Sequence, residues 1–324
     1  MIGLILLTLR ELRARKVVVG LFVVATAVWL AFALALQLDV VDGSLTGVRI
    51  FGDIETVDTV PVVDEETGEV RVDSATGEPV TRMSEAPPLG ANPLEQFVFG
   101  AQAFVSGAAY WVGILLCLFA TGGLVASLVE PGQADLLVAK PLSRSAVLGG
   151  RLAAVGVVTF ALVAYLLGAV WLVMAVKTGI WNPRFLLAIG VVWAMFAVLY
   201  GVVTLVSVWS GSAALALIAT LGLVVTTLVL AIPGLALAID ATFRPLVEGL
   251  YYVLPRFGSV GTTLVPQLAT GVDFAAIVTD GAQSGSAQPV RPTLVAALIP
   301  LATSIVFGAA CYGGAFYLFN RRDF

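Results

Sequence analysis

An all-α polytopic membrane protein, with six transmembrane helices and a small β-rich extracytoplasmic loop, is the fold class this sequence predicts, on three observations. Hydrophobic residues fill 59% of 324 positions and charged residues 12%, against about 45–50% and about 25% in soluble domains. Apolar runs of about 20 residues, enough to cross a hydrocarbon core about 30 Å thick, occur at 17–38, 104–128, 152–176, 185–209, 213–237 and 295–319. Basic residues gather in short flanks: Arg10, Arg13, Arg15 and Lys16 before the first run, Lys140, Arg144 and Arg151 between the second and third, and Arg321-Arg322 after the last. The positive-inside rule places these flanks on one side. Six spans agree with that, because both termini are then cytoplasmic, with the chain multi-pass in the inner (cytoplasmic) membrane.

Residues 1–16 set Leu4, Ile5, Leu7, Leu9 and Leu12 beside the four basic residues, which predicts an amphipathic helix on the cytoplasmic surface. The run at 17–38 is too long for a signal-peptide core and lacks a small-x-small exit, so it is read as a retained span. The segment 39–103 holds 13 of the chain's 21 acidic residues, so the net charge of −4 is local to this expected extracytoplasmic loop and points to no nucleic-acid partner. Its short alternating runs at 61–64, 69–73 and 78–81 are separated by Glu-Thr-Gly and Ala-Thr-Gly turn signals and predict a small β-meander.

Gly107, Gly113, Gly122 and Gly123 in the second run, and Gly156 and Gly168 in the third, are small residues that let helices approach closely in lipid. The fourth and fifth runs are separated only by Ser210-Gly211-Ser212 and must form a tight antiparallel hairpin. In 238–294, Phe243, Leu246, Val247, Leu250, Tyr251 and Leu254 fall on one helical face, while 280–289 has the composition of a flexible linker. Tyr110, Trp111, Trp171, Trp181, Trp193 and Trp209 are read as an aromatic belt at the span ends.

Between the second and third runs lies a charged island, 129–151. Glu130 and Pro131 suit the start of a short helix over Gly132–Lys140, Pro141 ends it, and Ser143 suits the N-cap of a new helix running into the third span. Glu130, Gly132, Asp135-Leu136-Leu137, Ala139-Lys140-Pro141, Ser143-Arg144 and Gly150 followed by a basic residue resemble the cytoplasmic loop of ABC-2 type transporter permeases. The usual pattern there is close to E-x-G-T-x-x-L-L-x-x-P-x-S-R followed by G-K. Gln133 and Ala134 depart from that pattern, and Arg151 stands in place of the lysine. The terminal Phe319-Asn320-Arg321-Arg322-Asp323-Phe324 is similar to a second habit of the family, an aromatic membrane exit followed by R-R-D.

The resemblance implies an ABC-2 type transmembrane domain: the permease subunit of an ATP-binding cassette transporter, mostly exporters. It implies pairing with a second permease copy or a paralogue, and two copies of a separate ATPase subunit docked beneath. Glu130, Gly132, Asp135, Leu136, Leu137, Lys140, Pro141 and Arg144 would form the ATPase contact, with 131–140 as the coupling helix. The resemblance also implies short helices dipping into the outer leaflet over roughly 243–270. A different reading is a non-transporting membrane scaffold that holds an extracytoplasmic complex through 39–103.

Several chemistries lack their residues. The phosphate-cradling pattern G-x-x-x-x-G-K-[ST] does not occur, so ATP would be bound by the partner and this chain would be no enzyme and hold no cofactor. Histidine is absent, and Cys117 and Cys311 fall within apolar runs, which leaves no argument for a metal site or a disulfide. An intramembrane serine hydrolase would need a base near Ser106 or Ser210. The interiors of the six runs carry no Asp, Glu, Lys or Arg, the groups that ion-coupled transport keeps in the bilayer. Membrane lipid and protein subunits are therefore the expected partners.

Overall fold

The computed structural model of the protein describes residues 16–41, 44–50, 53–55, 59–61, 81–83, 93–128, 143–231, 244–270 and 294–321. Residues 1–15 of the surface helix expected at 1–16, most of the island (129–142) and the expected linker at 280–289 lie outside these residues. The architecture is that of an all-α polytopic protein. Five helical stretches are long and apolar enough to cross a membrane: Phe97–Ala126, Arg144–Thr178, Pro183–Ser210, Ala213–Leu230 and Ala297–Arg321.

The sixth expected span, 17–38, differs from expectation. Helix α1 covers Lys16–Ala35, but its described apolar stretch, Val18–Ala31, rises only about 21 Å at about 1.5 Å per residue. The chain then turns into strand β1, Leu36–Val41. The reason is local: Leu36-Gln37-Leu38-Asp39-Val40 alternates with a period of two, and that pattern suits a strand face rather than a helix stripe. β1 pairs antiparallel with β2 (Ser44–Ile50), with Leu36 opposite Ile50 and a register shift between Asp39 and Val40. β2 in turn pairs with β3 (Asp53–Glu55), and β4 (Thr59–Pro61) pairs with β5 (Thr81–Met83). Residues 62–80, which contain most of the runs from which a meander is expected, lie outside the described residues.

The second span starts earlier than expected. Helix α2, Pro93–Ala108, opens on a proline at its first position with Glu95 in the first turn, two features that favour a helix start. It continues through a π-helical turn at Ala109–Gly113 into α3 (Ile114–Thr121) and α4 (Gly123–Ala126). Polar residues such as Glu95 and Gln102 mask this entry in a hydropathy reading. The third span, α5, runs Arg144–Thr178 and likewise begins before its apolar core. Ser143 is its N-cap: the backbone is extended there and the hydroxyl accepts from Ala146 N at 3.3 Å.

A 3₁₀ turn, Pro183–Leu186, leads into α6, Leu187–Ser210, the most enclosed span, with 14 buried residues including Met195, Val198, Leu199 and Val203. Gly211 then takes the left-handed conformation (φ 69°), and the Ser212 hydroxyl accepts from Leu215 N as the cap of α7, Ala213–Leu230. Spans four and five are thus the tight hairpin their three-residue spacing requires. Residues 232–243 lie outside the described set. Short helices follow at α8 (Arg244–Val253), α9 (Phe257–Ser259), a π-helical turn (Val260–Leu264) and α10 (Val265–Thr270). The last span, α11, is Leu294–Arg321.

The core is built on α6. Helix α11 crosses it where Gly201 meets Gly308: a Cβ on Gly201 would stand 3.1 Å from the Gly308 carbonyl oxygen, and one on Gly308 would stand 3.0 Å from Val198 Cα. Small residues are what permit so close a crossing. Of the glycines singled out in the second and third runs, Gly122 and Gly156 face neighbouring helices, while Gly107 and Gly168 meet no other side chain or chain segment within 4 Å.

Candidate functional site

The island divides at Ser143. Glu130, Gly132, Asp135, Leu136, Leu137, Lys140 and Pro141 lie outside the described residues. Arg144 is described, as the first residue of α5, and is exposed. The two segments from which the island hangs are both described, and the structure ties them together. Arg151, two turns into α5 and 91% buried, reaches across to the end of the second span. Its Nη1 donates to the Leu124 carbonyl at 2.6 Å and to Ser127 Oγ at 2.8 Å, and Ser127 Oγ donates in turn to the Leu124 carbonyl at 2.9 Å.

A guanidinium is an always-charged group that is costly to bury unless its donors are used. Here two of its bonds are charge-assisted and land on the last turns before the island. Leu128 and Leu148, both fully buried, pack in the same core beside it. The exit of the second span and the entry of the third are therefore joined by a polar strut in a tightly packed, apolar setting.

Sequence reasoning places Arg151 outside the membrane, as the basic residue after Gly150, and gives it no partner. The available signal is the unbroken apolar character of 146–176 on either side of it, which makes position 151 an interior helix position.

The second span carries a further junction near its middle. Tyr110, read as part of an aromatic belt, is instead fully buried in the π-helical turn. Its hydroxyl donates to the Phe257 carbonyl at 2.7 Å, and its ring stacks on Phe257 at 4.7 Å between centroids, while Trp111 meets the same ring edge-on at 5.1 Å. The partner segment makes room through Gly261, where a Cβ would stand 2.6 Å from both Tyr110 Cε1 and Trp111 Cζ2. Both sides of this contact are π-helical, Ala109–Gly113 against Val260–Leu264, and such turns inside α-helices are often found at functional positions. Closer to the start of the span, Asn182 Nδ2 donates to Gln102 Oε1 at 2.9 Å and to the Ala269 carbonyl at 2.8 Å. Trp171 and Trp181 pack edge-on at that end, and Trp209 is exposed at the end of α6.

The second span thus bears the island at one end, the Arg151 strut just above it and the Tyr110–Phe257 junction further along. Among the described residues no group of three or more histidine, cysteine or acidic side chains is placed to hold a metal ion. No protein-family model, no curated protein and no solved structure matches the chain.

Proposed function

We propose that the chain is the permease subunit of an ATP-binding cassette exporter of the ABC-2 type, moving substrate across the cytoplasmic membrane with ATP hydrolysed by a separate ATPase subunit. The observation that carries the reading is the Arg151 strut. It supports a mechanical role for the island, because a push on residues 130–144 reaches the second and third spans as one unit. The residue pattern at 130–151 and the R-R-D exit at the C-terminus support the family assignment. In this reading α1 is the first of six spans, both termini are cytoplasmic, and strands β1 to β5 belong to a small extracytoplasmic loop. A second copy or a paralogue completes the pathway. The ATPase closes on a helix at 131–140, with Glu130, Lys140 and Arg144 as polar anchors and Leu136 and Leu137 as apolar ones.

The test is a double substitution, Leu136→Ala with Leu137→Ala. Truncating apolar residues at an interface centre commonly costs about 2 kcal/mol or more, which weakens association roughly 30-fold. Pull-down of the co-expressed ATPase by the well-folded double mutant is expected to fall on that scale. Undiminished pull-down ends the coupling-helix reading.

A further inference from the structure

Arg256, between α8 and α9, is a half-buried cation tied to the side of a membrane span. Its backbone N–H donates at 2.9 Å to the hydroxyl of Ser304, a fully buried residue of α11. At about 1.5 Å per residue, Ser304 lies about 10 Å inside Ala297, where the apolar stretch of that span begins. The backbone of Arg256 is therefore held within the bilayer, in the half nearer Leu294. A charge at that depth is costly unless something meets it. Among the described residues no carboxylate pairs with Arg256 and no acceptor takes a bond from its guanidinium, whose Nε is buried without a partner.

The partners it does have are two rings. Arg256 Cζ lies 4.8 Å from the centroid of Tyr251 and 4.6 Å from that of Tyr252. The rings meet edge-on at 5.7 Å, and the Tyr251 hydroxyl shares a 3.0 Å hydrogen bond with Ser259 Oγ, so the clamp is itself braced. Ring contacts engage the face of a guanidinium, while its N–H donors lie in its plane and suit a phosphate. The surroundings favour a phosphate that arrives with hydrocarbon attached. Leu250, Tyr252 and Val253, beside the clamp, are all exposed. A soluble anion would give up its water against these side chains, whereas a phospholipid covers them with its acyl chains. Membrane arginines meet headgroups in this way, by reaching toward the interface and drawing phosphates inward.

We propose that Arg256, clamped by Tyr251 and Tyr252, binds the phosphate of a phospholipid in the leaflet at the Leu294 end of α11. The inference needs only that the chain spans a membrane and does not rest on the export reading.

The full-length chain is delipidated in detergent and titrated with dioleoylphosphatidylglycerol, and the apparent Kd of the first bound lipid is read by native mass spectrometry. Loss of a hydrogen bond to a charged group is expected to weaken that Kd roughly tenfold in Arg256→Gln. Tyr252→Leu opens the clamp at an exposed position, where the fold does not depend on the ring, and should weaken it about two- to fivefold. Arg184→Gln removes an exposed arginine from the turn between α5 and α6 and should leave it unchanged. Two arms use the unaltered chain alone. Dioleoylglycerol, with the same acyl chains and no phosphate, is expected to bind roughly tenfold more weakly, and inorganic phosphate at the lipid's concentration should not displace the phospholipid. Equal binding of dioleoylglycerol would mean that acyl chains alone are held, and displacement by inorganic phosphate would mean a site for a soluble anion; either overturns the proposal. So does an unchanged Kd in both Arg256→Gln and Tyr252→Leu, or a loss in Arg184→Gln as large as in Arg256→Gln, which would mean general attraction to basic residues.

Discussion

Arg151 shows how one side chain can decide what a loop does. A methionine there keeps most of the packing volume but removes the bonds to the Leu124 carbonyl and Ser127 Oγ. Hydrogen bonds to a charged group are worth about 1.5–3 kcal/mol each in context, so Arg151→Met is expected to lose about 2 kcal/mol or more, read as a lowered midpoint of thermal unfolding in detergent. Arg151→Lys, which keeps the charge but not the fork, should fall between the two. If Arg151→Met melts like the unaltered chain, the strut carries no load.

Gly261 sits at the other decisive contact, where even one methyl group would overlap two aromatic rings at 2.6 Å. The rings cannot retreat easily, because Tyr110 is held by its bond to Phe257 and is fully buried. Overpacking of this kind costs about 1–3 kcal/mol. Gly261→Ala is expected to lower the unfolding midpoint, while Gly168→Ala, with no neighbouring side chain or segment within 4 Å, should leave it unchanged or raise it slightly. Equal midpoints for the two variants would contradict the close junction.

Among the elements, the pair α6 and α11 sets the frame. Their close approach is set by Gly201 and Gly308. The obstacle to a larger residue at 308 is backbone, Val198 Cα at 3.0 Å, so accommodation requires the helices to separate. Gly308→Val is therefore expected to destabilise strongly, whereas Gly313→Val, where nothing lies within 4 Å, should be tolerated. Protease resistance of the purified variants distinguishes these outcomes. At this scale the hairpin of α6 and α7 was legible in advance, since three residues between two apolar runs admit little else. The crossing of α11 was not, because Gly308 looks no different in sequence from Gly313.

At the scale of the whole molecule the strong expectation is topological. In a background with Cys117 and Cys311 replaced, a cysteine at Ser74 is expected to react with a membrane-impermeant thiol reagent from outside intact cells. One at Ser143 should react only after permeabilisation. The reverse pattern would invert the arrangement and place the island away from any cytoplasmic ATPase.

The sequence by itself determined that the chain is a polytopic helical membrane protein. It also determined where most spans lie, that Ser143 caps the third, and that Ser210-Gly211-Ser212 is a tight turn. These are local properties: hydropathy over about 20 residues, a capping hydroxyl, a glycine free to take positive φ. Only the tertiary structure decided that Arg151 joins the second and third spans, that Tyr110 is buried against Phe257 rather than placed in a belt, and that Arg256 is tied to α11 through Ser304. The reason is physical. In a helix apolar on every side, no amphipathic stripe tells a lipid-facing residue from a protein-facing one. Which residues meet is set by how each helix is rotated about its axis, and that follows from contacts with neighbours far away in the chain. The first apolar run marks the boundary between the two kinds of knowledge: its hydrophobicity pointed to a span through residue 38, while the period-two alternation from Leu36 onward, paired with β2, turned its end into a strand.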